Sequence, residues 1–342
     1  LRCTFPTGIP RGAYYVGWII DPDNRFAEAD ETNNTAYKST PRLNVIDGSQ
    51  PVVYVDASAA GANDGSSWAN AFAHLQDALT VALPGQEIRV ARGVYTPDRG
   101  YGITRGDREA SFLLPSGITL RGGYAGAGAG DSHARDPGVY ATILSGDLQA
   151  DDLPVPDAGD LWKEPSRTDN SRHVLVAFHG DQTTTLDGVQ VTGGYAMGLS
   201  AATTPSDALQ GGGLIVSGGR VILRDCIFSG NWAWEAGGAV HVTGGQLELI
   251  DGTFQANGVG TGVGQPHGAG GAIGIAGAAS TSLVRCWFSG NFAGVQGGAL
   301  DHREGTALLL QCLFLGTRVV GTAGGAVWNS EGQLRLANCI LN

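Results

Sequence analysis

The sequence predicts an all-β solenoid, a right-handed parallel β-helix with a capping helix near its start, preceded by part of an immunoglobulin-like β-sandwich. Three observations carry that prediction. Glycine supplies 55 of the 342 residues, far above the roughly 7% of ordinary chains, yet with neither a collagen triplet nor a low-complexity tract, so many tight turns recur in a pattern. A Phe-x-x-Asn unit stands at Phe228, Phe254 and Phe288, degenerates at Phe314-x-x-Thr317 and ends on Leu341, with spacings of 26, 34, 26 and 27 residues. Gly212-Gly213, Gly237-Gly238, Gly270-Gly271, Gly297-Gly298 and Gly324-Gly325 fall in phase with it, so one unit recurs five times.

Within each unit a leucine lies five positions before the aromatic (Leu223, Leu249, Leu283, Leu309, Leu336), and Val221, Leu247, Thr281, Ala307 or Leu334 lies seven before. That alternation reads as a strand. A unit of this size with two or three short strands cannot bury its apolar side alone, whereas units stacked at strand spacing can. Equivalent residues then form ladders of Phe on Phe, Leu on Leu and Asn on Asn, with Gly-Gly supplying turn geometry closed to other residues. The eight extra residues of the third unit, around Gly258 to His267, must leave the stack as a loop. Cys226, Cys286, Cys312 and Cys339 all fall two residues before the aromatic, with Gly252 in that place on the remaining unit. This predicts a column of small buried thiols, since no close pairs or phased histidines suggest a metal site.

Upstream, Val52 to Asp56 reads as a strand, Gly61 to Ser67 as a loop, Ala69 to Leu83 as an amphipathic helix ended by Pro84-Gly85, and Glu87 to Ala91 as another strand. Such a helix could cover the open end of the solenoid, where apolar interior and strand edges would otherwise be exposed. Phe112-Leu-Leu, Ile118 to Tyr124, Thr142 to Asp147, Asp169 to Val174 and Leu186 to Gly194 read as further strand-and-turn pieces. At the N-terminus Tyr14 to Asp21 alternates as a strand, Pro22-Asp-Asn24 turns, and a last strand lies near Leu43 to Ile46.

The Phe-x-x-Asn and Gly-Gly-Ala-Ile units resemble the repeats of the chlamydial polymorphic outer membrane proteins, within the wider pectin-lyase-like β-helix group. The Tyr-Val-Asp strand, the Asn-Asp-Gly-Ser-Ser-Trp loop and the helix resemble the entry of secreted bacterial β-helix proteins. Gly12-x-Tyr14, Asp21-x-x-Asn24 and Glu28-x-Asp-Glu-x-Asn-Asn34 resemble the end of a CARDB-type adhesion domain. The resemblances imply three parts: residues 1–47 as the C-terminal part of that sandwich, 48–51 as linker, and 52–342 as a β-helix truncated at its C-terminal end. They also imply a secreted or cell-surface bacterial protein longer than this chain at both ends.

A net charge of -11, with two lysines among the 21 basic residues, offers no basic stripe for phosphates and argues against nucleic acid as a partner. No apolar run reaches the 18 or so residues of a membrane span. The expected partner is a polysaccharide or a cell-surface glycan or protein, met along the solenoid by a non-catalytic, adhesin-like surface. Candidate ligand-binding residues are Asn231, Trp232 and Trp234, because aromatic faces stack on sugar rings while Asn binds hydroxyls. A spacer with no ligand is the bland alternative.

The β-helix resemblance also implies an enzymatic alternative, a Ca²⁺-dependent polysaccharide lyase or a glycoside hydrolase. A lyase needs a base and clustered carboxylates for Ca²⁺, and a hydrolase needs two carboxylates roughly 5 to 10 Å apart. Candidates are His241, Asp301, His302 and Arg303 for catalysis, and Asp147, Asp151 and Asp152, in the insertion Gly146 to Pro165, for Ca²⁺. The plainer reading of that insertion is a surface loop, and that of Asp56 and Asn63-Asp64 is turn and cap residues.

Overall fold

In the computed structural model the described residues are 12–19 and 35–45, as backbone, and 50–178, 180–197, 209–260, 267–277, 279–321 and 323–342. Cys3, the turn at Pro22-Asp-Asn24 and the acidic stretch Glu28 to Asn34 lie outside them. Gly12–Ile19 and Thr35–Val45 pair antiparallel, from Gly12 opposite Val45 to Ile19 opposite Thr35. The second of these strands starts well before the predicted Leu43.

The remaining strands form three parallel sheets of 14, 8 and 5 strands. One turn of the chain shows how they arise. Val240–Ile250 lies in the long sheet, Thr253–Gln255 in the second and Gly258–Val259 in the third. Each pairs in register with the strand one unit earlier and the strand one unit later. In later units the long-sheet strand is split, as in Leu300–His302 and Thr306–Leu310. This is the architecture of stacked parallel β-coils.

The predicted ladders fill the interior. Phe228, Phe254, Phe288 and Phe314 are fully buried and stack with centroids 5.2, 4.9 and 4.6 Å apart and ring planes within 10°. Leu223, Leu249, Leu283 and Leu309 form a second buried column beside them. Cys226, Cys286 and Cys312 are buried free thiols that point at backbone carbonyls, and burial pushes the Cys226 thiol up to about 12. Gly237 shows what the glycine pairs do: its φ is +59°, and a Cβ on the following Gly238 would sit 2.3 Å from Gly258 O and 2.4 Å from Gly271 O. Non-glycine residues hold the same left-handed region at the corner before each of the last five second-sheet strands: Asp225, Asp251, Arg285, Gln311 and Asn338.

Near the first strands the helix α1 runs only from Leu75 to Val81, and Leu75, Ala78 and Leu79 face the core. The predicted helix, Ala69 to Leu83, is longer because Phe72 shares an apolar face with Leu75, Ala78, Leu79 and Ala82, which draws in the residues from Ala69 to Ala73. Those residues instead follow the loop: Phe72 bridges Val55, and Asn63 Oδ1 accepts from Ala73 N at 2.8 Å. Asp56 is buried as a turn anchor, accepting from Ser58 N at 2.8 Å and Ala127 N at 2.6 Å, and Asp64 accepts from Ser66 N at 2.9 Å.

The insertion is more than a surface loop. Its 3-10 turn Ala158–Lys163 folds across the outer face of the third sheet, and a second, Pro165–Asp169, follows it. Ala158 and Leu161 pack with Tyr195, Trp232 and Phe292. Gly258 leaves the slot they enter, since a Cβ there would lie 2.5 Å from Ala158 O. Arg318 closes the contact with two 2.6 Å bonds to the Asp157 carboxylate.

Candidate functional site

The outward positions of the long sheet begin the candidate site. In register across successive coils stand Ile215, His241, Gly274, Asp301 and Trp328. Strand alternation turns these away from the core, while their neighbours Val216, Val242, Ile275 and His302 form the adjacent interior column. His241 and His302 therefore belong to opposite faces. His302, a catalytic candidate by sequence, is fully buried and bonds Asn329 Oδ1 through Nδ1 at 2.6 Å, so it is withdrawn from the outer surface.

His241, Asp301 and Arg303 do come together. They line one cleft of about 510 Å³ with Trp234, Glu235, Gln210 and His267. Trp234 follows the third-sheet strand Trp232–Ala233. Its ring packs on that of His267, with centroids 4.1 Å apart and planes at 39°. Residues 261–266 of the expected loop lie outside the described residues; Gly260 and His267 stand side by side at its two ends, and the strands on both sides keep register. Gly258, expected at the loop's start, belongs to the third sheet.

The electrostatics follow from burial. His241 is only 3% exposed, and neither ring nitrogen has a hydrogen-bond partner among the described residues. Burial, then the charges of Arg303 and His173, push its imidazole down to about 4, so it is neutral at pH 7. Gly274 makes room for the ring: a Cβ there would stand 2.9 Å from His241 Nδ1. Asp301 is held from both sides, by Arg303 Nε at 2.7 Å and Gln296 Nε2 at 3.1 Å. Burial holds its carboxyl above the ordinary value, and the Arg303 guanidinium offsets only part of that rise. Glu235 accepts from Gln210 Nε2 at 3.3 Å.

Two residues expected to meet ligand do not reach the surface. Trp232 is fully buried, covered by Ala158 and Leu161 of the insertion and packed at a tilt on Tyr195, with ring centroids 5.2 Å apart. Asn231 is fully buried in a ladder with Asn257 and Asn291. It donates to Val191 O at 3.0 Å and accepts from Gly194 N at 3.0 Å, so its amide is spent on neighbouring coils. Trp234 remains partly exposed in the cleft. Sequence reasoning missed Glu235, Gln210 and His267. Glu235 directly follows Trp234, but nothing in the sequence places Gln210 or His267 beside it.

The acidic candidates regroup. Asp147 and Asp151 join Asp169, with ligand oxygens all within 4.8 Å of one another. Asp152 instead pairs with buried Arg167 at 3.0 Å and with Asn170 Nδ2 at 2.9 Å. Its carboxyl is pushed up by burial and drawn down by Arg167. The trio offers hard oxygen donors of the kind a divalent cation takes, and Asp169 Oδ2 is a buried oxygen without a hydrogen-bond partner. Asp147 also borders a second cleft of about 590 Å³, with His74, Arg99 and Ser145.

No helix among the described residues is long and apolar enough to cross a membrane. No family model matches the chain, and no curated protein or solved structure matches it.

Proposed function

We propose that this chain is a right-handed β-helix of pectin-lyase-like type, from a secreted or cell-surface bacterial protein of adhesin character, and that it binds glycan without cleaving it. The observation that carries the binding role is the cleft of Trp234, stacked on His267, above a rim of Glu235, Gln210, Asp301 and Arg303. A flat aromatic face beside carboxylate, amide and guanidinium groups suits the apolar faces and hydroxyls of a sugar ring. Asp301, with its oxygens engaged by Arg303 and Gln296, serves as a fixed acceptor and not as a mobile base. The CARDB-like reading of residues 1–47 belongs to the same proposal and agrees with an adhesive role.

The test is a glycan array probed with the purified chain. Trp234→Ala is expected to weaken every positive signal about tenfold or more, as loss of a central aromatic anchor does. Trp287→Ala, on a side chain 45% exposed on the second sheet, should leave the signals unchanged. Equal binding by Trp234→Ala and the parent chain would remove the cleft from the account.

One observation favours the enzymatic alternative: the Asp147, Asp151 and Asp169 trio beside the second cleft, where Arg99 and His74 are the available bases. Ca²⁺ held by the trio would neutralise a uronate carboxylate. Incubation with acidic polysaccharides, with and without Ca²⁺, should give no new absorbance from unsaturated ends if binding alone is the function. A Ca²⁺-dependent signal abolished by Asp147→Asn would replace the binding reading with a lyase.

A further inference from the structure

We propose that the cleft over His241 selects an uncharged, hydroxylated sugar ring and disfavours uronates. The inference rests on the glycan-binding reading and narrows it to a ligand class. Its starting point is a buried group left incomplete: His241 lines the cleft, is 3% exposed and has no hydrogen-bond partner on either nitrogen among the described residues. Polar atoms taken out of water are normally satisfied, so an unpartnered donor and acceptor on a side chain that lines a cleft point to a ligand group that completes them.

The chemistry of that group follows from the imidazole. A neutral ring presents one N–H donor and one acceptor lone pair. A sugar hydroxyl can answer either nitrogen, accepting from one or donating to the other. A carboxylate only accepts, so it satisfies the N–H and repels the lone pair. The surrounding charge acts in the same direction. Glu235 and Asp301 line the cleft against the single guanidinium of Arg303, whose Nε is already 2.7 Å from Asp301 Oδ2. A uronate would therefore face two carboxylates and an offset cation, a like-charge arrangement that lowers affinity for that class specifically. The Trp234 face, backed by His267, tolerates either ring, so discrimination falls to His241 and the two acids.

The experiment is calorimetric titration of the whole chain at pH 7 with neutral oligosaccharides (gluco-, manno- and galacto-) and with oligogalacturonides and oligoglucuronides of the same length. At least one neutral series should bind about tenfold or more tighter than either uronide. His241→Phe should cost about tenfold for the neutral ligand, while His241→Gln, which keeps a donor and an acceptor, should retain most of the affinity. If His241→Phe does not fold, Gly274→Ala replaces it, because the added methyl meets His241 Nδ1 at 2.9 Å and blocks that nitrogen. Tighter binding of uronides, or unchanged neutral binding in His241→Phe or Gly274→Ala, would overturn the proposed selectivity and leave glycan binding intact. Failure of both ligand classes to bind would overturn the glycan reading itself, and this inference with it.

Discussion

Asn257→Ala should lower the stability of the solenoid by about 4 kcal/mol, from several buried polar atoms left without partners at about 1–3 kcal/mol each and partly relaxed. Asn257 is the middle rung of the asparagine ladder and fully buried. Its Oδ1 accepts from Asn231 N and Asn231 Nδ2, both at 3.1 Å, and its Nδ2 donates to Phe228 O at 2.9 Å and Asn291 Oδ1 at 3.1 Å. Alanine removes all four bonds and provides no path for water. Asn257→Asp should also destabilise, because a carboxylate oxygen would then face the Phe228 carbonyl and the Asn291 amide oxygen. Urea denaturation followed by far-UV circular dichroism reads the effect. A loss below about 1 kcal/mol for alanine would mean that the turn is held by its backbone bonds alone.

Phe254→Ala is expected to cost a similar 3–5 kcal/mol or so, by a different mechanism. Its ring is fully buried between Phe228 and Phe288, at 5.2 and 4.9 Å and within 10° of parallel to each, so truncation opens a cavity with rigid aromatic walls above and below. Because both neighbours are fixed by strand register, little collapse can relieve it. Phe254→Leu should cost about half as much or less, since the cavity is smaller. The same column already takes Leu144 and Val191 in earlier coils. Thermal midpoints of the two variants against the parent chain decide the matter, and equal midpoints for alanine and leucine would contradict the stacked-column account.

Both sites are legible in the sequence, because a solenoid repeats its chemistry at a fixed interval and each rung advertises the next. Phe228, Phe254 and Phe288 name one another by spacing, and the asparagines three residues later do the same. The ligand site was legible only in fragments. The sequence points to Trp234, His241, Asp301 and Arg303, but adjacency also groups Trp232 and Asn231 with Trp234. In a strand and turn, adjacent residues point to different places, so Asn231 entered the ladder and Trp232 went under the insertion. His241 and His302 both lie just after a Gly-Gly-Ala motif, but they differ by one residue in strand register, and that single step puts His302 in the interior.

Asp152 shows a second limit. Its neighbour Asp151 and the earlier Asp147 form an acidic group with Asp169, eighteen residues beyond Asp151 in the chain, while Asp152 is drawn to the buried charge of Arg167. Spacing along the chain carries no information about which carboxylate must neutralise a buried guanidinium.

The sequence by itself determined the coil: its period, the three ladders of Phe, Leu and Asn, and the thiol column. These are properties of a register shared by neighbouring strands, and a register is written as periodicity. The tertiary structure alone decided which faces are open. An insertion more than sixty residues upstream covers Trp232, His267 packs on Trp234 from beyond the extra residues of the third unit, and Gly274 opens space beside His241. Burial depends on what arrives from elsewhere in the chain, and contacts between segments of unrelated sequence leave no period to read.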